Sequence, residues 1–141
     1  MVSVVPIIEE MMVFEIKDTL IPVFKRYGDQ IVFAYLFGSI AKSEVSDLSD
    51  VDIAVYLTGD IKEAFFEIKL SLYTDICRVL KRNDVDFVVL NTATNLMLIA
   101  DIIRYSVVIY DIDVGVREDL KIKHLHESID FKTHRFAVMG F

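Results

Sequence analysis

Cysteine is almost absent. Cys77 is the one copy in 141 residues, so no disulfide can form within the chain. That excludes a disulfide-stapled scaffold and fits a reducing compartment, the cytoplasm. A long uninterrupted apolar run is also missing, although 54% of the residues are hydrophobic and the mean hydropathy is +0.45. The longest uncharged apolar-rich run, 31–41, is shorter than the ~20 residues of a spanning helix, and Gly38-Ser39 interrupts it. Asp101 and Arg104 break the next candidate, 96–110. Residues 1–13 carry Glu9 and Glu10 and no basic head, so a secretory signal is not expected. Positive charge is short as well: 15 basic side chains face 22 acidic ones, for a net charge of −7. That balance repels a phosphate polymer unless a basic patch dominates locally. The most basic segment, 117–135, mixes Lys121, Lys123, Lys132 and three histidines with acids and does not make a nucleic-acid arm. These absences argue against a membrane span and direct nucleic-acid binding. They leave a single domain, 1–141, with one core. The apolar excess is expected to cover both faces of a sheet and to supply an interface, with a second copy or with a different partner.

No internal repeat, low-complexity tract or linker interrupts the chain. Residues 6–27 read as a helix, bent or broken near Pro22, with Gly28 in its stop signal. Residues 31–37 are apolar throughout, as in an interior strand, and 51–57 form a second strand before a turn at 58–60. Ile61, Phe65, Ile68, Leu72, Ile76 and Val79 recur at helical spacing. A third strand is expected over 84–90, then a helix capped by Thr92 or Thr94 that ends near Arg104. A fourth strand follows over 106–110, and a last helix over 114–132 with Val116, Leu120 and Ile129 on one side. The apolar end, 136–141, lacks either periodicity and is expected to pack on a partner or a second copy. Strands alternating with helices argue an α/β domain with a small mixed sheet flanked by helices. The polar excursion between the first two strands is too short for a crossover helix, so those strands should be antiparallel.

That excursion is the segment where chemistry concentrates. Gly38 permits a sharp turn and a close approach of backbone to a ligand. Ser39 suits the cap of a short helix, whose free N–H groups favour phosphate. In Asp50-Val51-Asp52 the period of two places both carboxylates on one strand face, away from Val51, Ile53, Val55 and Leu57. Held close together they repel, and a divalent cation converts that repulsion into binding. Hard oxygen ligands beside a phosphate cradle suggest Mg²⁺ and a nucleoside triphosphate. Downstream, Asp84 and Asp86 share a face of the third strand, and an ionised carboxylate in an apolar strand is costly unless paired or metal-bound.

Gly38-Ser39, a polar spacer, Ser49-Asp50-Val51-Asp52 and a later Asp on an apolar strand together resemble the polymerase-beta-like nucleotidyltransferases. Within them the pattern is similar to the minimal nucleotidyltransferases, the MntA-type antitoxins that accompany HEPN-domain toxins. The resemblance implies the nucleotidyltransferase fold and picks Asp86 as the third carboxylate. Asp50, Asp52 and Asp86 would then bind metal, two Mg²⁺ ions, and Asp86 would help take a proton from the acceptor. Gly38, Ser39, Lys42 and Ser49 would hold ATP; Lys42 stands where many relatives carry Arg and offers charge without a bidentate fork. The implied reaction is AMP transfer to a tyrosine hydroxyl of a HEPN toxin, which silences it.

Simpler readings stand beside these. Asp50 and Asp52 also suit a solvated edge strand, Gly38-Ser39 an ordinary strand-to-helix turn, and Lys42 a solvated surface. Ser46-Asp47 imitates Ser49-Asp50 but sits in the loop. His124 and His126, two apart on a helix, point to different faces and read as surface histidines rather than zinc ligands. Cys77 reads as core. Two other functions compete: an antitoxin that neutralises by binding alone, and a transferase acting on a small molecule, for which the chain has no room for a second domain.

Overall fold

The computed structural model describes residues 5–38, 50–60 and 62–138, with side chains over 12–38, 50–60 and 62–127. The predicted site residues Ser39, Lys42 and Ser49, and the decoy Ser46-Asp47, lie outside the described residues.

Helix α1 (Val5–Lys25) buries Ile16, Leu20, Val23 and Phe24, which recur at the three- and four-residue spacing of one helical face. It continues unbroken through Pro22 to Lys25, where a bend or a break was expected. Proline costs a hydrogen bond there, but full burial of Leu20 and Phe24 on either side holds the last turn down. Gly28, at φ +58°, then reverses the chain into a short 3₁₀ turn, Gly28–Gln30.

Strand β1 (Ile31–Phe37) is buried at every position and lies inside a four-stranded sheet ordered β3-β2-β1-β4. It pairs antiparallel with β2 (Val51–Leu57) on one side and β4 (Val107–Asp111) on the other. The antiparallel arrangement of the first two strands is as the short excursion requires. Strand β3 (Val85–Val89) runs parallel to β2, and α2 (Lys62–Leu80) makes the crossover between them. The domain is therefore the mixed α/β layered fold that the element order predicted.

One face of the sheet carries α1 and α2. Its core joins Leu20 and Phe24 to Phe65, Leu72 and Ile76 over Val51, Ile53, Val55 and Leu57. The other face carries Phe33, Tyr35, Phe37, Ala54 and Leu90 beneath Ile102 of α3 (Leu96–Tyr105) and Val116 and Leu120 of α4 (Val114–Val138). Helix α3 is capped by Asn95 rather than by Thr92 or Thr94: Asn95 Oδ1 accepts from the backbone N–H groups of Met97 and Leu98, both at 3.1 Å. Helix α4 runs past the expected end near Lys132 to Val138, so the backbone of 136–138 is helical, whereas no regular element was expected there. The side chain of Ile129 lies outside the described residues. Among the described residues no helix is long and apolar enough to cross a membrane.

Candidate functional site

Strand β2 brings Asp52 between two neighbours. Phe37 of β1 lies opposite on one side, and Asp86 of β3 lies opposite on the other. The tight carboxylate pair is therefore Asp52 with Asp86, across two strands, rather than Asp50 with Asp52 along one. Strand geometry explains the choice: residues two apart on a strand are separated by about 6.6 Å, and in-register neighbours on adjacent strands by about 4.8 Å. Burial pushes the Asp52 carboxyl up to about 6, and a hydrogen bond with Asp86 and the charges of Asp86 and Asp50 push the same way. Below about pH 6 Asp52 therefore keeps its proton, as a buried carboxyl beside like charges does.

Gly38 lies directly against Asp52 of this pair. Its φ is +78°, and a Cβ built there would overlap Asp52 Oδ2 and stand 2.9 Å from Asp52 Cγ. Any side chain at position 38 would displace the carboxylate, so the glycine expected from the motif is required twice, by conformation and by space.

Asp50 is exposed at the mouth of β2, close enough to act on Asp52 through charge. Asp86 is exposed as well. Among the described residues no group of three His, Cys, Asp or Glu side chains closes into a metal-sized cluster. What is assembled is a pair, Asp52 and Asp86, with Asp50 to one side. Two carboxylates that cannot both ionise at low cost, walled by a glycine, are a donor set suited to a hard divalent cation.

Asp84, the alternative third carboxylate, is engaged elsewhere. Arg82 donates from Nε to Asp84 Oδ1 and from its terminal amine to Oδ2, both at 2.5 Å, and this fork lowers the Asp84 pKa. The residues alone left Asp84 and Asp86 equivalent; the structure separates them by partner.

Sequence reasoning missed two arginines. Arg82 is the first. The second, Arg117 on the first turn of α4, donates from Nε to Asp111 Oδ2 at 2.6 Å, with the two side chains 17% and 13% exposed. Tyr35 hydrogen-bonds to Arg117, and burial raises the phenol's pKa more than that contact lowers it. The available signal was an acid ending an apolar strand with an arginine on the helix just beyond. His124 also departs from expectation. It is only 13% exposed and contacts Glu127 at 3.2 Å, in the wall of a cavity of about 320 Å³ shared with Tyr56, Asn91 and Lys123. His126 is exposed, and Cys77 packs half-buried against the first core, as expected of each.

Residues 18–115 match the family model described as polymerase beta, nucleotidyltransferase. No curated protein sequence matches the chain. Solved structures of the same fold do. A structure of a toxin–antitoxin with AMP-PNP aligns with TM-score 0.70 and 20% identity, covering 88% of this chain and 95% of that one. A structure of the toxin–antitoxin MntA–HepT aligns at TM-score 0.66 and 19% identity, over 89% and 94%. A tri-AMPylated HEPN toxin of Shewanella oneidensis in complex with MNT antitoxin aligns at TM-score 0.67 and 19% identity, over 89% and 93%. At these identities the likeness is one of fold, and it spans nearly the whole of each matched chain.

Proposed function

Because the chain belongs to the polymerase beta nucleotidyltransferase family, we propose that it transfers AMP from ATP to a tyrosine hydroxyl of a HEPN-domain toxin and thereby acts as an antitoxin. The observation that carries the reading is the Asp52–Asp86 pair set across β2 and β3 against Gly38. The fold neighbours support the class of partner and substrate, since they include complexes named for AMP-PNP and for an AMPylated HEPN toxin.

Each residue takes a role from its position. Gly38 lets backbone approach the phosphates, and Ser39, Lys42 and Ser49 complete the nucleotide cradle by the motif. Asp50, Asp52 and Asp86 would hold magnesium, which when bound supplies charge compensation at the phosphates. Asp86, the exposed member of the pair, receives the proton of the attacking hydroxyl. The hydroxyl oxygen forms a bond to the α-phosphorus, the bridging P–O bond to the β-phosphate breaks, and pyrophosphate leaves. The protein contributes alignment and charge placement, with no covalent intermediate on its own side chains.

The test is turnover. Substoichiometric protein with ATP and Mg²⁺ should add AMP mass to an excess of a HEPN toxin and silence it, read by intact-mass spectrometry. Neutralisation only at equimolar ratio, without mass gain, would replace transfer with binding as the function.

A further inference from the structure

At the ends of β2 and β3 far from the carboxylates, a cavity of about 320 Å³ lies between α4 and the start of α2. Four residues of β2, about 13 Å, separate its Tyr56 from Asp52, so the two places are distinct. The floor is apolar, made by Tyr56, Phe65, Leu90 and Leu120. Asn91 fixes that floor, because its side chain joins the N–H and C=O of Leu57, both at 2.8 Å. The rim is basic. Lys62 opens α2, so the positive end of that helix's dipole borders the cavity as well. Lys123 and His124 come from α4 together with Leu120, since positions three and four apart share a helix face. His124 is held in place: its Nδ1 lies 3.2 Å from Glu127 Oε2, which leaves Nε2 for a ligand. Among the described residues Asp60 is the one acid lining the cavity, and neither lysine is paired with a carboxylate.

A chain of net charge −7 gives anions little to bind, so cations converging on one concavity need a reason. Lysines on an open surface are simply solvated. These border a preformed apolar floor beside a mostly covered imidazole. We infer that the cavity binds a small organic monophosphate of about mononucleotide size. Its phosphate sits at Lys62, Lys123 and His124, and its body covers Tyr56 and Leu90. The volume lies near the lower end of the ~300–1,000 Å³ of small-molecule pockets, which suits a ligand of that size. A phosphate group carries a charge of about −2 and three acceptor oxygens, which two ammonium groups and a ring nitrogen can meet. An occupant would bridge α4 to the ends of β2 and β3. The inference stands apart from the carboxylate site and from the transfer proposed for it.

The imidazole signals in a proton–nitrogen NMR spectrum of the full chain read the cavity directly. The chain has three histidines, and the His124 signal is the one lost in His124→Gln. AMP, titrated in EDTA, should shift that signal to saturation. Inorganic phosphate should need at least about ten-fold higher concentration, because it cannot cover the floor, and adenosine should leave the signal still. Lys62→Gln with Lys123→Gln should weaken AMP binding at least about ten-fold. Lys17→Gln with Lys69→Gln changes the net charge equally on α1 and α2 away from the cavity, and should bind within about two-fold of the parent. A His124 signal that ignores AMP overturns the inference, and so does an equal response to adenosine or equal weakening in both double variants. None of these outcomes touches the Asp52–Asp86 reading, because no divalent cation is present; transfer to the toxin tests that separately.

Discussion

The two faces of the sheet are built on opposite terms, although the same strands supply both. Toward α1 and α2, β2 presents Val51, Ile53, Val55 and Leu57, all fully buried in a dry, aliphatic core. Toward α3 and α4 it presents Asp52, Ala54 and Tyr56, and the neighbouring strands add Tyr35 and Asp86. The difference shows how the carboxylates are located. A slip of one residue in β2 would drive Asp52 into the aliphatic core and bring Ile53 to the site, so the dry face holds the register that the polar face uses. The polar face then adds a fixture of its own, the Tyr35–Arg117–Asp111 cluster, which ties α4 to β1 and β4.

Breaking the polar face should abolish function with little loss of fold. Asp86→Asn removes the exposed member of the Asp52–Asp86 pair at almost constant volume, and transfer to the toxin should fall by at least about a hundred-fold. Gly38→Val should do the same by displacing Asp52, and should also weaken folding because φ there is +78°. Initial rates and thermal melts of the two variants separate these effects. Breaking the dry face should show the reverse. Leu72→Ala empties a fully buried position between α2 and the sheet and should cost about 3 kcal/mol in urea denaturation. Its transfer rate per folded molecule should match the parent. Between these lies Arg117→Met, which strands a mostly buried Asp111 and should cost roughly 2 kcal/mol, less than a fully buried pair would. If Arg117→Met cost nothing, the cluster would be surface decoration, and α4 would be held by Val116 and Leu120 alone.

How far the fold could be read from the sequence follows from what each signal depends on. The strands β1 and β2 were legible because an all-apolar run and an alternating one are local patterns. Helix α2 was legible for the same reason, through Phe65, Leu72 and Ile76. The Asp52–Asp86 contact was not visible as the tight pair, because it is set by the register between β2 and β3, which neither strand encodes alone. The cap of α3 was assigned to Thr92 or Thr94, whereas Asn95 holds it. Asn91 bridges the N–H and C=O of Leu57, both at 2.8 Å, in the turn that follows β3, where the Thr92 N–H donates to the Val89 carbonyl before Asn95 starts the helix. Pro22 does not break α1 because its penalty is local while the burial that offsets it is tertiary. Ser39, Lys42 and Ser49 rest on the motif alone, since they fall outside the described residues.

The smallest expected effect sharpens the comparison most, because it assigns a cost to the polar face in the folded protein itself. The Asp52 carboxyl is held at about 6, against an ordinary value of 3.8, chiefly by burial and then by Asp86. Below pH 3.8 the group is protonated in folded and unfolded chains alike, and its placement costs nothing on this account. As pH rises toward 6 the unfolded chain releases the proton and the folded chain retains it, so stability declines across that window. Above about pH 6 the loss is complete. Asp52 is partly open to solvent, so screening reduces the effect to about 1 kcal/mol. Asp52→Asn removes the charge at nearly constant shape. In EDTA it should therefore be about 1 kcal/mol more stable than the parent at pH 7.5, and equal to it at pH 3.5. Urea denaturation at the two pH values measures both differences. A stabilisation that persisted unchanged at pH 3.5 would assign the gain to packing, and the Asp52–Asp86 pair would then carry no electrostatic strain for a cation to relieve.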